Sequence, residues 1–341
     1  MTSSLVGSEM CIRDRDYVAR QTCQERLEQL GEQLDPGQTN FRYQVLSADG
    51  SQVLLGNLEE QSGLEALVSQ IYYLRLSASG VSQMALESEV IPEFSAVETE
   101  EAPLGKQILT QLQENLKIAG EDMIPICQDT GMAVVFIKVG QEVHFEGGSL
   151  TDAINQGVHD GYVDGFLRKS VVKDPILREN TKDNTPAIIH YEIVEGDQID
   201  ITLAPKGFGS ENMSRVFMLK PADGIEGVKN AILTAVKDAG PNACPPMVVG
   251  VGIGGTFEKC AIMAKHALTR NLNEHSDIPY VADLEKEMLE RINGLGIGPG
   301  GLGGTVTALS VNVETYPTHI AGLPVAINIC CHVNRHAHRV L

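Results

Sequence analysis

The chain contains no tryptophan, and aromatic residues make up only 5 % of its 341 positions. Its core must therefore rely on Val, Ile, Leu, Met and Ala. No apolar run reaches 18 residues, which excludes a transmembrane helix. The opening stretch MTSSLVGSEMCIRDR lacks an apolar segment long enough for an export signal. A cytoplasmic setting follows, in which the seven cysteines are reduced thiols or metal ligands rather than disulfides. Basic residues are scarce as well. A net charge of −19 argues against a nucleic-acid partner and against an anionic membrane surface, because both need basic patches. It leaves room for an anionic substrate in a locally basic pocket. No internal repeat is evident.

With 43 % apolar and 21 % charged residues, the chain reads as a folded protein of one large or two ordinary domains. Residues 1–15 are expected to be an artefactual tail with no part in a fold. Residues 16–90 read as a small α/β segment: a polar helix over 16–34, then two strands joined at Ala48-Asp49-Gly50. The main domain is expected over 91–341. Helical spacing places Ile108, Leu112 and Leu116 on one face of a helix. Ser149 and Asp152 form a capping box for a second helix, with Ile154, Val158, Tyr162 and Phe166 on one face. Two strands flank the turn Glu195-Gly196-Asp197. Asp223 is the expected N-cap of a helix that ends at Gly240. A buried strand, two helices and the last strands follow. Helices and strands alternate, so the fold class is α/β with mixed sheets and surrounding helices.

Three features carry candidate chemistry. Gly250, Gly252 and Gly255 match G-x-G-x-x-G between a strand and a helix, the pattern of an NAD-binding oxidoreductase; spaced glycines are also common in a chain with 34 of them. The tail CCHVNRHAHRVL offers two cysteines and three histidines for zinc, but no second ligand pair, and His336 and His338 read as solvated residues of a chain end. Cys127, Cys244 and Cys331 each sit in special backbone, beside a proline or where a strand begins or ends, whereas Cys260 falls inside a helix and reads as a packed thiol. Their spacing alone does not announce a metal cluster.

The segments PICQDTGMAVVF, RENTKDNTPA, KGFGSEN, GPNACPP, GIGGTFEK and THIAGLPVAINICCHVNRHA occur in that order. Together they resemble the class I, iron–sulfur-dependent fumarate hydratases, in the alpha-subunit half shared with L(+)-tartrate dehydratase. The resemblance runs from about residue 96 to 341. It implies a [4Fe–4S] cluster held by Cys127, Cys244 and Cys331, with one iron left open as a Lewis acid. It further implies that Gln128 and Arg168 bind a substrate carboxylate, that Asp129 and His319 handle protons at the substrate, and that Gly207 offers a backbone contact. Structural alternatives stand beside these: an Asx turn for Asp129, a helix-end cation for Arg168, a turn glycine at 207 and a solvated loop histidine at 319. The carboxyl-terminal half of the single-chain enzymes has no counterpart. The implied assembly is therefore an alpha subunit with a beta partner that completes the site, in a heterotetramer or similar oligomer, acting on a dicarboxylate. Reversible hydration of fumarate to (S)-malate is the expected reaction of the TCA-cycle type, and L(+)-tartrate dehydration its alternative.

Overall fold

A computed structural model describes residues 44–48, 51–55 and 96–341 except 123, 146 and 147. The expected tail at 1–15, the helix at 16–34 and the boundary near residue 90 lie outside these. Strands β1 (Gln44–Ala48) and β2 (Ser51–Leu55) pair antiparallel with Ala48 opposite Ser51, as the turn signal at Ala48-Asp49-Gly50 requires. No helix among the described residues is long and apolar enough to cross a membrane.

Residues 96–341 build two four-stranded mixed sheets, so the α/β expectation holds. The first contains β3 (Met132–Gly140), β4 (Ile188–Val194), β5 (Ile199–Lys206) and β10 (Ala337–Val340), in the order β10-β5-β3-β4. β4 and β5 are consecutive in the chain but do not pair. β3 lies between them, parallel to β4 and antiparallel to β5. The turn at 195–197 therefore arches over the end of β3, where the Gly140 N–H donates to the Gln198 carbonyl at 2.8 Å. Helix α2 (Leu150–Asp164) covers this sheet with Ile154, Val158 and Tyr162, packed on Ala133, Val135, Ile137 and Ile201. The Ser149 hydroxyl accepts the Asp152 N–H, as expected of an N-cap. Phe166 departs from the expected face. The helix stops at Asp164, and Phe166 takes a left-handed φ of 53° that leaves its ring 45 % exposed.

The second sheet contains β6 (Arg215–Leu219), β7 (Met247–Gly254), β8 (Ala308–Tyr316) and β9 (Leu323–Cys330), in the order β6-β9-β7-β8. Helices α4 (Gly224–Ala239) and α6 (Pro279–Asn293) bury one face of it: Ile232, Val236, Met288 and Ile292 pack on Val249, Val251, Val313 and Ile327. Helix α5 (Phe257–Ala267) covers the other face through Cys260, Met263 and Ala264, and α1 (Pro103–Glu121) adds Leu109 against Val248, Leu268 and Leu309. A four-residue helix, α3 (Phe208–Glu211), follows β5.

Three expectations need correction. Gly250 and Gly252 lie inside β7, hydrogen-bonded between β8 and β9, rather than on a strand-to-helix turn. Their empty side faces α5, where a Cβ would be driven into the carbonyl oxygens of Ala264 and Cys260. They are close-packing glycines, so the dinucleotide reading fails. Asp223 stands at the N-cap of α4 but makes no capping bond to it; its carboxylate accepts the Lys220 N–H at 2.8 Å instead. The tail is ordered rather than a free end, because its last residues form β10, which pairs Ala337 with Leu203; His338 is exposed as expected, whereas His336 is half-buried. His338 bonds Asp200 at 2.9 Å there. The alternation that marks β10 is too short to compete with the polarity of His336, His338 and Arg339.

Candidate active site

The turn Cys127–Gly131 leads into β3 and rests on the end of β5. Gly131 has φ +78°, and a Cβ there would come within 2.8 Å of the Pro205 and Lys206 backbone, so only glycine permits this approach. Asp129 locks the turn with both carboxylate oxygens. Oδ1 accepts the Gly131 N–H at 3.0 Å, which is the Asx turn foreseen as its structural role, and Oδ2 accepts the Phe208 N–H at 3.0 Å. Gly207 is thereby brought against Asp129; a Cβ on it would lie 3.2 Å from Oδ2. The Cys127 thiol sits 3.2 Å from the Gln128 amide oxygen, and the Asp129 N–H points at its sulfur from 3.5 Å. The Thr130 hydroxyl donates to the Arg168 carbonyl at 3.0 Å, which places Arg168 beside the same turn with its side chain exposed. Gln128 and Asp129 thus stand beside Cys127, Gly207 lies against Asp129, and the Arg168 backbone borders the turn.

The other two cysteines come from the second sheet. Cys244 follows the short 3-10 turn Gly240–Ala243 and precedes β7; its φ of 51° is left-handed, a strained conformation for a residue with a Cβ. Cys331 follows β9. Because β7 and β9 run antiparallel with Val248 opposite Cys330, both positions stand at one end of the sheet. The His332 ring lies 3.2 Å from the Cys244 carbonyl. Arg335, 9 % exposed, joins the two sheets by donating from Nη2 to the Asp129 carbonyl at 2.7 Å.

All three thiols are held above the ordinary thiol range. Burial pushes the Cys127 thiol up; the Asp129 N–H and the Arg335 guanidinium pull it down, and Cys331 and the Asp129 carboxylate push it up again. Cys244 is raised by burial and then by Cys331 and Cys127. Cys331 is raised well above an ordinary thiol, chiefly by the hydrogen bond it shares with Cys330, then by burial. Soft thiolates of this kind are ligands for Zn, Cu(I) or iron–sulfur clusters. Among the described residues, no three His, Cys, Asp or Glu side chains converge to hold a single ion. That removes the zinc site considered for the tail. A cubane remains compatible, because each thiolate would take a different corner. Arg335 Nε and His336 Nδ1 are buried without a hydrogen-bond partner.

His319 is not brought to this cluster. It lies in the exposed loop between β8 and β9, where its Nδ1 accepts the Ala321 N–H at 3.2 Å. That is the opposite end of β9 from Cys331. Eight strand residues, at about 3.3 Å each, separate the two by roughly 25 Å. Conversely, Arg335, the buried Lys206 and its half-buried partner Glu211 carry no functional signal in the sequence. The motif segments CCHVNRHA and KGFGSEN contain all three, but a cation that will be buried looks like any surface cation until its partner is known.

The arrangement defines an α/β protein of two mixed sheets, with a locked carboxylate and a glycine turn tied through Arg335 to the segment that follows Cys331. Residues 80–340 match the family model described as Fumarate hydratase (Fumerase), and the chain belongs to that family of hydro-lyases. It is 44 % identical over 248 residues to the putative L(+)-tartrate dehydratase subunit alpha of Methanocaldococcus jannaschii, covering 71 % of this chain and 87 % of that protein. It is 28 % identical over 279 residues to the L(+)-tartrate dehydratase subunit alpha of Escherichia coli strain K12, covering 81 % of this chain and 92 % of that protein.

Proposed function

We propose that this chain is the alpha subunit of an iron–sulfur hydro-lyase that reversibly adds water across the double bond of a four-carbon dicarboxylate. What supports the reading is the set of hydrogen bonds that links the three cysteine segments: the Asp129 N–H to the Cys127 sulfur, Arg335 to the Asp129 carbonyl, and His332 to the Cys244 carbonyl. The thiolates of Cys127, Cys244 and Cys331 would hold a [4Fe–4S] cluster. When bound, the cluster would supply a Lewis acid for the substrate hydroxyl. The relatives' names favour L(+)-tartrate at least as strongly as the family's name favours fumarate and (S)-malate. The two chemistries differ by one substrate hydroxyl.

The chain's own residues divide the remaining work. Gln128 and Arg168, both exposed beside the turn, bind a substrate carboxylate, with the guanidinium able to bind in two-point fashion. Gly207 lets the substrate approach backbone. Asp129, held in one orientation by two N–H groups, passes a proton to or from the hydroxyl oxygen as the C–O bond breaks or forms. In the dehydration direction the proton on the neighbouring carbon must leave to a base on the beta subunit, and cationic groups stabilise the enediolate-like charge that develops. His319 enters only if another copy of the chain supplies it.

The test is anaerobic purification of the chain co-produced with its beta subunit, followed by iron and sulfide analysis and assays with fumarate, (S)-malate and L(+)-tartrate. The expected result is a brown protein with about four irons per alpha chain, active on one of these acids. Serine at any one of the three cysteine positions removes both the iron and the activity. Retention of full iron by Cys244→Ser would sink the reading.

A further inference from the structure

Behind the thiols, the seam between the two sheets gathers two ammonium groups, one buried and one half-buried, on one carboxylate. Lys206 ends β5 and is 5 % exposed. Its Nζ donates to the Gly207 carbonyl at 3.1 Å and the Ser210 hydroxyl at 3.0 Å, and lies 3.4 Å from Glu211 Oε2. Lys265, on α5, pairs with Glu211 Oε1. Asn328, three residues before Cys331, donates to Glu211 Oε2 at 3.0 Å and to the Ser214 hydroxyl at 2.9 Å. The clasp therefore ties β5 and α3 of one sheet to α5 and β9 of the other.

One lysine would satisfy Glu211. Of the two, Lys206 is the more deeply buried, with 6 % of its side chain exposed against 18 % for Lys265, and so carries the larger desolvation cost. The two lysines differ in what else they touch. Lys265 meets Glu211. Lys206 also grips the carbonyl of Gly207, and the peptide joining Gly207 to Phe208 supplies the N–H that holds Asp129 Oδ2.

We propose that Lys206 is a positioning residue: by binding the Gly207 carbonyl and the Ser210 hydroxyl, it fixes the Gly207–Phe208 peptide and, through it, the orientation of the Asp129 carboxylate. The inference rests on the reading of Asp129 as the group that handles the substrate proton. Lys206 itself neither meets substrate nor moves a proton.

Lys206→Met and Lys265→Met in the alpha–beta pair separate this role from simple clasping. Hydrogen exchange over 207–213 and steady-state kinetics are read on the same samples. Lys206→Met speeds exchange there by about tenfold and lowers kcat by about tenfold, with KM within about twofold, as expected for loss of a charged hydrogen bond that orients a reacting group. Lys265→Met leaves both close to wild type. Wild-type exchange in Lys206→Met overturns the inference, and so does an equal effect of the two variants. Should Lys206→Met unfold the chain, Lys206→Gln carries the same comparison, because it removes the charge and keeps a donor. A wild-type pair inactive on all three acids would defeat the functional reading alone; the exchange comparison would still decide this inference.

Discussion

The two sheets solve burial in different ways. In the second sheet, helices lie on both faces, and β7 and β9 are buried along nearly their whole length. In the first, β5 alternates between buried and half-buried residues, and β4 is an open edge with most of its side chains exposed. The site takes its parts from both. The deeply buried sheet supplies Cys331 directly after β9 and Cys244 from the turn that enters β7. The shallower sheet supplies Cys127, Asp129 and Gly207 from turns locked by local hydrogen bonds. Burial on both faces leaves strand ends few ways to move, whereas a turn must be fixed bond by bond. That contrast explains why side-chain clasps such as Arg335 on Asp129 and Lys206 on Gly207 gather on the first sheet's side of the site.

The contrast breaks most sharply at β7. Gly252→Val places a branched side chain where only backbone of α5 fits. The expected cost exceeds about 3 kcal/mol, the upper range for overpacking a core, read as a lower urea midpoint. Gly250→Val behaves alike. A nucleotide-binding role for these glycines would give the opposite result, an intact fold with lost NADH affinity.

The second sheet was the more legible of the two for the same reason. Long apolar runs such as PPMVVGVG and PVAINIC can only be buried strands, and capped amphipathic helices between them imply mixed α/β layers. What escaped was decided by distant partners. Gly250 and Gly252 look like a phosphate loop until α5 is seen against them. Phe166 continues the spacing of Ile154, Val158 and Tyr162, but Gly165 ends the helix before it. β10 is recognisable only through its pairing with β5. The cysteines, Gln128, Asp129, Arg168 and Gly207 come from ordered motifs, and among them the structure sets Gln128 and Asp129 beside Cys127, Gly207 against Asp129 and the Arg168 backbone against Thr130. His319 came from the same motifs, yet the length of β9 keeps it away from them. Arg335 was overlooked because its role is to reach a backbone carbonyl more than 200 positions earlier.

A smaller effect is expected at Glu100, which anchors α1 to the buried sheet. Its carboxylate, 1 % exposed, accepts N–H groups from Ala102, Thr305 and Val306 at 2.8 to 3.0 Å. Gly304 leaves the space it occupies; a Cβ there would lie 2.6 Å from Oε1. Burial pushes this carboxyl up, but the hydrogen bonds together outweigh it and hold the group below its ordinary value of 4.5. A depressed folded value means that its stabilisation is complete above the unfolded value and is lost as pH falls through the folded one. Glu100→Gln should cost about 2 kcal/mol at neutral pH, the scale of a charged hydrogen-bond set. It should also flatten the acid limb of melting temperature against pH. An unchanged acid limb would remove Glu100 from the account of how α1 is held.

The smallest effect separates two helix caps that look alike in the sequence. Ser149 bonds the Asp152 N–H at 3.3 Å, whereas Asp223 makes no such bond to α4 and instead closes the turn before it through the Lys220 N–H. Ser149→Ala should destabilise the chain by about 0.5–1 kcal/mol, the low end for a lost N-cap because the bond is long and exposed. Asp223→Ala should act on the preceding turn, so exchange protection should fall at the Lys220 amide before it falls in the first turn of α4. Both are read by urea titration together with amide exchange. If Ser149→Ala left the first turn of α2 as protected as before, that helix would be held by Ile154, Val158 and Tyr162 alone. The first sheet would then depend on packing as fully as the second does, and the contrast between them would lose its local-bond half.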